Sequence, residues 1–267
     1  MSVQTLNPAK IVETIKRLHA RIGERFPNSG LCKVCFQLAT IAENMEVKAD
    51  WIGRPVRWLR NLTLGLCGLI VGISLIPLII LAFSNEGLGL SPDNWFVELV
   101  QITEAGINDV VLIGAAVFFL LTVETRYKRE RALKALHELR SIAHVIDMHQ
   151  LTKDPHRIIS PKSYARTKGS PKLEMTRFEL RRYLDYCIEM LSLTSKIAAV
   201  YVQEFEDAVA LASASELEAL TTGLSSKIWH KITLLHEFEV DQEFALTRQT
   251  ALPVAKKDST RESGEGG

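Results

Sequence analysis

Two uncharged stretches decide how this chain is read: LTLGLCGLIVGISLIPLIILAF at Leu62–Phe83 and VVLIGAAVFFLLTV at Val110–Val123. A helix needs about 20 apolar residues to cross the hydrocarbon core of a bilayer. The first stretch has 22 and predicts a transmembrane helix, with Pro77 tolerated inside it and a kink near Ser74. The second has only 14, and Ile107, Asn108 and Asp109 bring it to 17, the short end of the spanning range. Its length alone also suits the core helix of a globular domain. Charge favours the membrane: Arg54, Arg57 and Arg60 precede the first stretch, and Arg126, Lys128, Arg129 and Arg131 follow the second. Between the two stretches lie Glu86, Asp93, Glu98 and Glu104 and no cation. The positive-inside rule then puts both termini in the cytoplasm and the loop outside. The expectation is a two-span hairpin, multi-pass in a bacterial-type inner (plasma) membrane, with no cleavable signal peptide before it.

Working outward, charge changes sign segment by segment. Residues 1–60 carry a net +5, residues 61–123 a net −5, residues 124–172 a net +7 and residues 173–267 a net −6, although the whole chain of 267 residues is only +1. A near-neutral total with 47% hydrophobic residues excludes a disordered chain and a strongly cationic nucleic-acid binder.

Outside the two stretches the pattern is helical and no segment alternates like a strand. Asn7-Pro8 starts a helix with Ile11, Ile15, Leu18 and Ile22 on one face and Gly23 as a stop; a second helix covers Leu31–Asp50. Ser91-Pro92-Asp93 predicts a short amphipathic helix running into the second span. The rhythm after that span continues unbroken to about Leu151 through Ala132, Leu136, Leu139, Ala143 and Ile146. Leu180 to Ala208 reads as one long helix, and Ser215 with Glu218 offers a capping box for a last one. The fold class expected is all-α: a two-span transmembrane hairpin continuous with a cytoplasmic antiparallel helical bundle, its seams of coiled-coil type. Its segments are N-terminal cytoplasmic helices at 1–58, a first span at 59–84, an external loop with the short helix at 85–106, a second span at 107–123, the bundle at 124–246 and a disordered tail at 247–267.

Chemistry is concentrated in one place. Four of the seven histidines, His137, His144, His149 and His156, fall within twenty residues. His144 and Asp147 are helical neighbours at a spacing that suits two ligands of one metal, but His149 lies about 140° around from His144. A site of His144, Asp147 and His149 would need carboxylates from elsewhere, such as Glu179, Asp185 or Glu189. The favoured reading is a solvated helix face, with a buried polar network of His137, Arg140, His144 and Asp147 as the alternative and no metal or other cofactor expected. Cys32 and Cys35 form a lone C-x-x-C, short of the four ligands of a structural zinc site, and read with Cys67 and Cys187 as small apolar residues. The loop Thr152–Lys172 is basic, with Tyr164 its single aromatic, so it reads as a connector rather than a nucleic-acid surface.

No phosphate loop, dinucleotide fingerprint, nucleophile elbow or zincin signature occurs, and no catalytic residue is assigned. The function expected is therefore non-enzymatic: a membrane protein that displays a helical bundle for self-assembly or protein partners, with the lipid bilayer as its surroundings and no nucleic acid. Asn61, Gly65, Gly68 and Gly72 share one stripe of the first span, at the small-residue spacing that lets helix backbones approach in lipid. That stripe suits either self-association or packing on Gly106, Val110 and Gly114 of the same chain. A pore or channel-like effector is the rival class, but its polar stripe (Glu104, Asn108, Ala115, Thr122) is broken. A metal-binding sensor or enzyme built on the histidine stretch is the third.

Overall fold

A computed structural model describes residues 6–54, 57–83, 95–159, 168–169, 175–203, 205 and 207–250. Every regular element among them is a helix: α1 (Pro8–Arg25), α2 (Gly30–Glu43), α3 (Met45–Gly53), α4 (Arg57–Phe83), α5 (Trp95–Leu151), α6 (His156–Ile159), α7 (Arg177–Val202) and α8 (Ala208–Thr250). The all-α class follows from the sequence periodicity, and the boundaries follow from local chemistry. Asn7 Oδ1 accepts from the backbone N–H of Lys10 at the start of α1, with Pro8 already holding a helical φ. Gly23 does not stop α1, which runs on to Arg25 until Pro27 prevents continuation. Asn28 takes a left-handed φ of 59°, which its short polar side chain tolerates, and Ser29 Oγ then caps α2 by accepting from Cys32 N–H.

Three expected boundaries are corrected. The helix expected over Leu31–Asp50 is two, α2 and α3, divided at Asn44. The long helix expected from Leu180 to Ala208 ends at Val202, and α8 begins at Ala208 rather than at the Ser215/Glu218 box. Asp207 explains the start of α8: its Oδ1 accepts from the N–H groups of Val209 and Ala210, so the last helix is capped eight residues before Ser215. A capping box does exist at the head of α7. Thr176 Oγ1 accepts from Glu179 N–H, and Glu179 Oε2 accepts from both N–H and hydroxyl of Thr176. The helix α8 reaches Thr250, past the expected start of the tail at 247; the remainder of that tail, the Ser91-Pro92-Asp93 cap and most of the Thr152–Lys172 loop lie outside the described residues.

The chain divides into two compact units that do not follow its linear segments. One contains Asn44–Glu138 and Ala199–Ser215; the other contains Leu6–Glu43, Leu139–Ala198 and the chain from Glu216. The second unit is a helical bundle. The apolar stripe of α1 (Ile15, Leu18 and Ile22) is fully buried, as are Leu31, Cys35 and Leu38 of α2, Leu139 and Ile146 of α5, Leu180, Leu184, Cys187 and Leu191 of α7, and Leu217, Ile228 and Leu235 of α8. Fully burying each such side chain contributes about 1.5–3 kcal/mol, so this core dominates the stability of the unit. Phe26 stacks edge-on against Tyr183 and Tyr186, fixing the end of α1 on α7.

The first unit is of a different kind. Its small core gathers Met45 and Ile52 of α3, Ala132 and Leu136 of α5, Tyr201 of α7 and Ala210 of α8. Its long apolar helices are largely uncovered: Leu64, Leu69, Ile73, Val110, Leu112, Phe118 and Phe119 are all exposed. One helical stretch is long and apolar enough to cross a membrane. It lies in the run Gly106–Ile159 and has a mean hydropathy of 2.1 over its most apolar window. The described apolar stretch of α4, Asn61–Ile73, is shorter than a span, and the expected kink near Ser74 lies outside the described side chains. A two-span hairpin is therefore not established. The stretch that looked short in the sequence qualifies because α5 continues without interruption from Trp95 to Leu151.

Candidate functional site

The histidine stretch occupies the last turns of α5, and the fold separates its members. His137 and His144 are exposed. Arg140 donates to Glu216 of α8 at 2.9 Å, whereas Asp147 accepts from Gln150 Nε2 at 2.7 Å. Arg140 and Asp147 thus have separate partners. Glu179 is engaged in the α7 capping box and Glu189 is bonded by Arg21 of α1. Among the described residues no three His, Cys, Asp or Glu side chains lie close enough to share a metal ion.

The polar centre at this end of α5 is instead built around Lys231, which sequence reasoning did not single out. From α8 its ammonium donates to the carbonyl of Gln150 at 3.0 Å, to Gln150 Oε1 at 2.6 Å and to the carbonyl of Lys153 at 3.3 Å. A cation is thereby set against carbonyls at and just beyond the C-terminal end of α5, where the helix dipole favours it. Burial nonetheless pushes the Lys231 ammonium below its ordinary pKa, with Asp154 and Asp147 opposing. Lys153 is lowered by the same cause and stands over the Tyr183 ring at 5.1 Å. His149 is lowered by burial and then by Lys153, and its ring closes on the backbone of Gly30, where an added Cβ would sit 2.3 Å from Cε1. A side chain at the head of α2 would therefore have to displace the His149 ring. Burial pushes the Cys187 and Cys35 thiols up to about 12, which disfavours their thiolates, and all four cysteines are free. Cys32 of the C-x-x-C has its Sγ 3.6 Å from His19 Nε2.

A second polar centre lies in the first unit, immediately after the apolar stretch of α5. Arg129 grips Asp207 with both Nε and Nη2, at 2.8–3.1 Å. Asp207 is buried, and the guanidinium holds its carboxyl below the usual range, with the amide of Ala210 adding to the effect. Asp207 thus caps α8 and ties it to α5. Two residues on, Arg131 lies between the rings of Trp51 and Tyr127, at 4.4 and 4.5 Å, and donates through Nη1 to the Trp51 carbonyl at 3.0 Å. Neighbouring cations pair with acids: Lys48 with Glu138, Arg54 with Asp50, and Lys128 with Glu124.

The glycine stripe of α4 is open. Among the described residues, nothing would lie within 4 Å of a Cβ added at Gly65, Gly68 or Gly72, and the same holds for Gly106 and Gly114 of α5. The half-buried positions of α4 between residues 61 and 73 are Thr63, Cys67, Ile70 and Gly72. At 100° per residue the first three lie roughly 160° around the helix from the stripe to which Gly72 belongs. Asn61, Gly65 and Gly68 are the exposed part of that stripe. The polar stripe of α5 remains broken: Glu104 and Asn108 line a cleft of about 430 Å³ with Val100, Thr103 and Ile107, while Thr122 spends its hydroxyl on the Phe118 carbonyl.

Comparison with known proteins adds no name to this geometry: no protein-family model, curated protein or solved structure matches the chain.

Proposed function

We propose that this protein is a non-enzymatic, multi-pass component of a bacterial-type inner membrane, with both termini cytoplasmic, which presents its helical bundle for self-association or for a protein partner. The observation that supports it best is the contrast along α5. One uninterrupted helix carries an apolar, uncovered stretch ending in Phe118 and Phe119, and then a closely packed one through Leu139 and Ile146. Large exposed side chains on consecutive turns destabilise a protein in water by leaving apolar surface solvated, and lipid removes that cost. The acidic segment between α4 and α5 and the basic flanks outside them set the orientation.

Within that reading the open Gly65, Gly68 and Gly72 face is the surface for association between copies. Helices in hydrocarbon associate through close backbone contact, and among the described residues nothing would lie within 4 Å of a Cβ added at these glycines. A reporter active only outside the cytoplasm tests the topology. It works when inserted at Gly89 and fails at either terminus; activity at the C-terminus would mean a single span. Replacing Gly68 and Gly72 together by Ile tests the association face. Loss of the oligomer with a folded monomer remaining supports it, and an unchanged oligomer removes it.

A further inference from the structure

We propose that Arg131, held between Trp51 and Tyr127, binds the phosphate of an anionic phospholipid headgroup at the point where α5 leaves the membrane; this rests on the membrane reading above. The stack is formed by two elements far apart in sequence, α3 and α5, and serves one side chain. Arg131 has no acidic partner among the described residues, while Lys48, Arg54, Lys128 and Arg129 around it each have one. Its Nη1 is engaged by the Trp51 carbonyl and its Nε is buried with no acceptor among the described residues, which also supply no carboxylate to the guanidinium. Arg131 is half-buried, and phosphate is the anion whose geometry a guanidinium with its remaining N–H groups free matches best. Arg126, five residues earlier and about 140° around the helix, likewise has no acid paired with it among the described residues.

Position selects lipid as the source of that phosphate. Tyr127 and Arg131 lie four and eight residues past Val123, about 6 and 12 Å along the helix axis. Helical side chains lean toward the N-terminus, here back toward the apolar stretch, and the headgroup layer is about 5–8 Å deep on each side. Arg131 therefore stands at the depth from which a long cationic side chain reaches headgroups. Its company is that of an interface: Trp51, Trp58 and Tyr127 are 47%, 63% and 45% exposed, and Val47 shares the face of α3 with Trp51. Exposed Trp and Tyr at the end of a span are the side chains that settle among headgroups.

The full-length protein in nanodiscs of phosphatidylglycerol or of phosphatidylcholine, followed by native mass spectrometry, tests this. The wild type retains phosphatidylglycerol in preference to phosphatidylcholine, and Arg131→Gln lowers that preference about fivefold, the factor of one juxtamembrane charge. Arg131→Lys keeps the charge, loses the stacked plane and falls between them. Where Arg131→Gln loses helical circular dichroism, Tyr127→Leu serves instead: it opens one side of the stack and leaves the Trp51 carbonyl bond in place, and it lowers the preference in the same direction. A folded Arg131→Gln protein with wild-type preference would show that Arg131 only clamps α3 to α5, and would overturn the proposal. Displacement of the lipid by millimolar inorganic phosphate would do so too, by making the site one for free anions. Carbonate extraction separates the two readings. A wild type washed from membranes refutes the membrane assignment, whereas one that resists washing but shows no headgroup preference refutes this inference alone.

Discussion

Asp207 offers the most informative single perturbation, because one carboxylate does two separable things. It caps α8 through the amides of Val209 and Ala210, and it holds Arg129 of α5 in a two-pronged bond. Asp207→Asn keeps a side-chain oxygen for the cap and removes the charge; Asp207→Ala removes both. Losing a helix cap costs about 1 kcal/mol, within a range of about 0.5–2. The alanine variant is therefore expected to be less stable than the asparagine variant by about 1 kcal/mol, which for a chain of this size is about 2–4 °C in thermal unfolding of the purified protein in detergent. Amide exchange at Val209 and Ala210 rises in the alanine variant and stays near wild type in the asparagine variant. The acid limb gives an independent check. The Asp207 carboxyl is lowered in the fold, chiefly by Arg129, so the folded state binds fewer protons than the unfolded chain as pH falls below the ordinary carboxylate value. Its contribution is complete above about pH 4 and disappears as pH drops through the folded value, and Asp207→Asn flattens that part of the profile. If both variants melt with the wild type and exchange is unchanged, α8 does not begin at Asp207. The Ser215/Glu218 box would then regain its claim, and Ser215→Ala, expected here to change stability by less than about 0.5 kcal/mol, would be the destabilising variant.

Tyr201 is 1% exposed, and its hydroxyl is buried without a hydrogen-bond partner among the described residues, so Tyr201→Phe is expected to stabilise the protein by about 1 kcal/mol; a loss of stability in urea titration would reveal a partner and refute this. His149 is lowered by burial, so the fold binds fewer protons there than the unfolded chain: its contribution is complete above about pH 6.5 and declines on acidification, and His149→Gln should flatten the melting temperature between about pH 7 and 5. Gly30→Ala drives a Cβ into the His149 ring and is expected to cost about 1–3 kcal/mol, with the loss largely relieved in the Gly30→Ala, His149→Ala double variant. Non-additivity below about 0.5 kcal/mol in that cycle would place the two residues apart.

The sequence by itself determined the helical class, the apolar stripes and the run from the second uncharged stretch to Leu151, because each depends on a period of 3.6 residues repeated over many turns. Ile11, Ile15, Leu18 and Ile22 could be placed on one buried face without knowing what covers them, and they are buried. It also located the uncharged stretches, since desolvation of charge depends on composition alone. Tertiary structure decided what depends on which helices meet. The rhythm from Leu180 to Ala208 crosses the end of α7 at Val202 and the start of α8 at Ala208 without a flaw in its spacing, and Asp207, bonded to Arg129, marks the new start. The histidine stretch drew attention by composition, yet Lys231, from 81 residues away, is the side chain that completes the end of α5. Trp51 and Arg131 are separated by 80 residues, and no local pattern couples them. A guanidinium between two rings is a fact of packing, and packing between distant segments is the part of this protein that its sequence does not print in any single window.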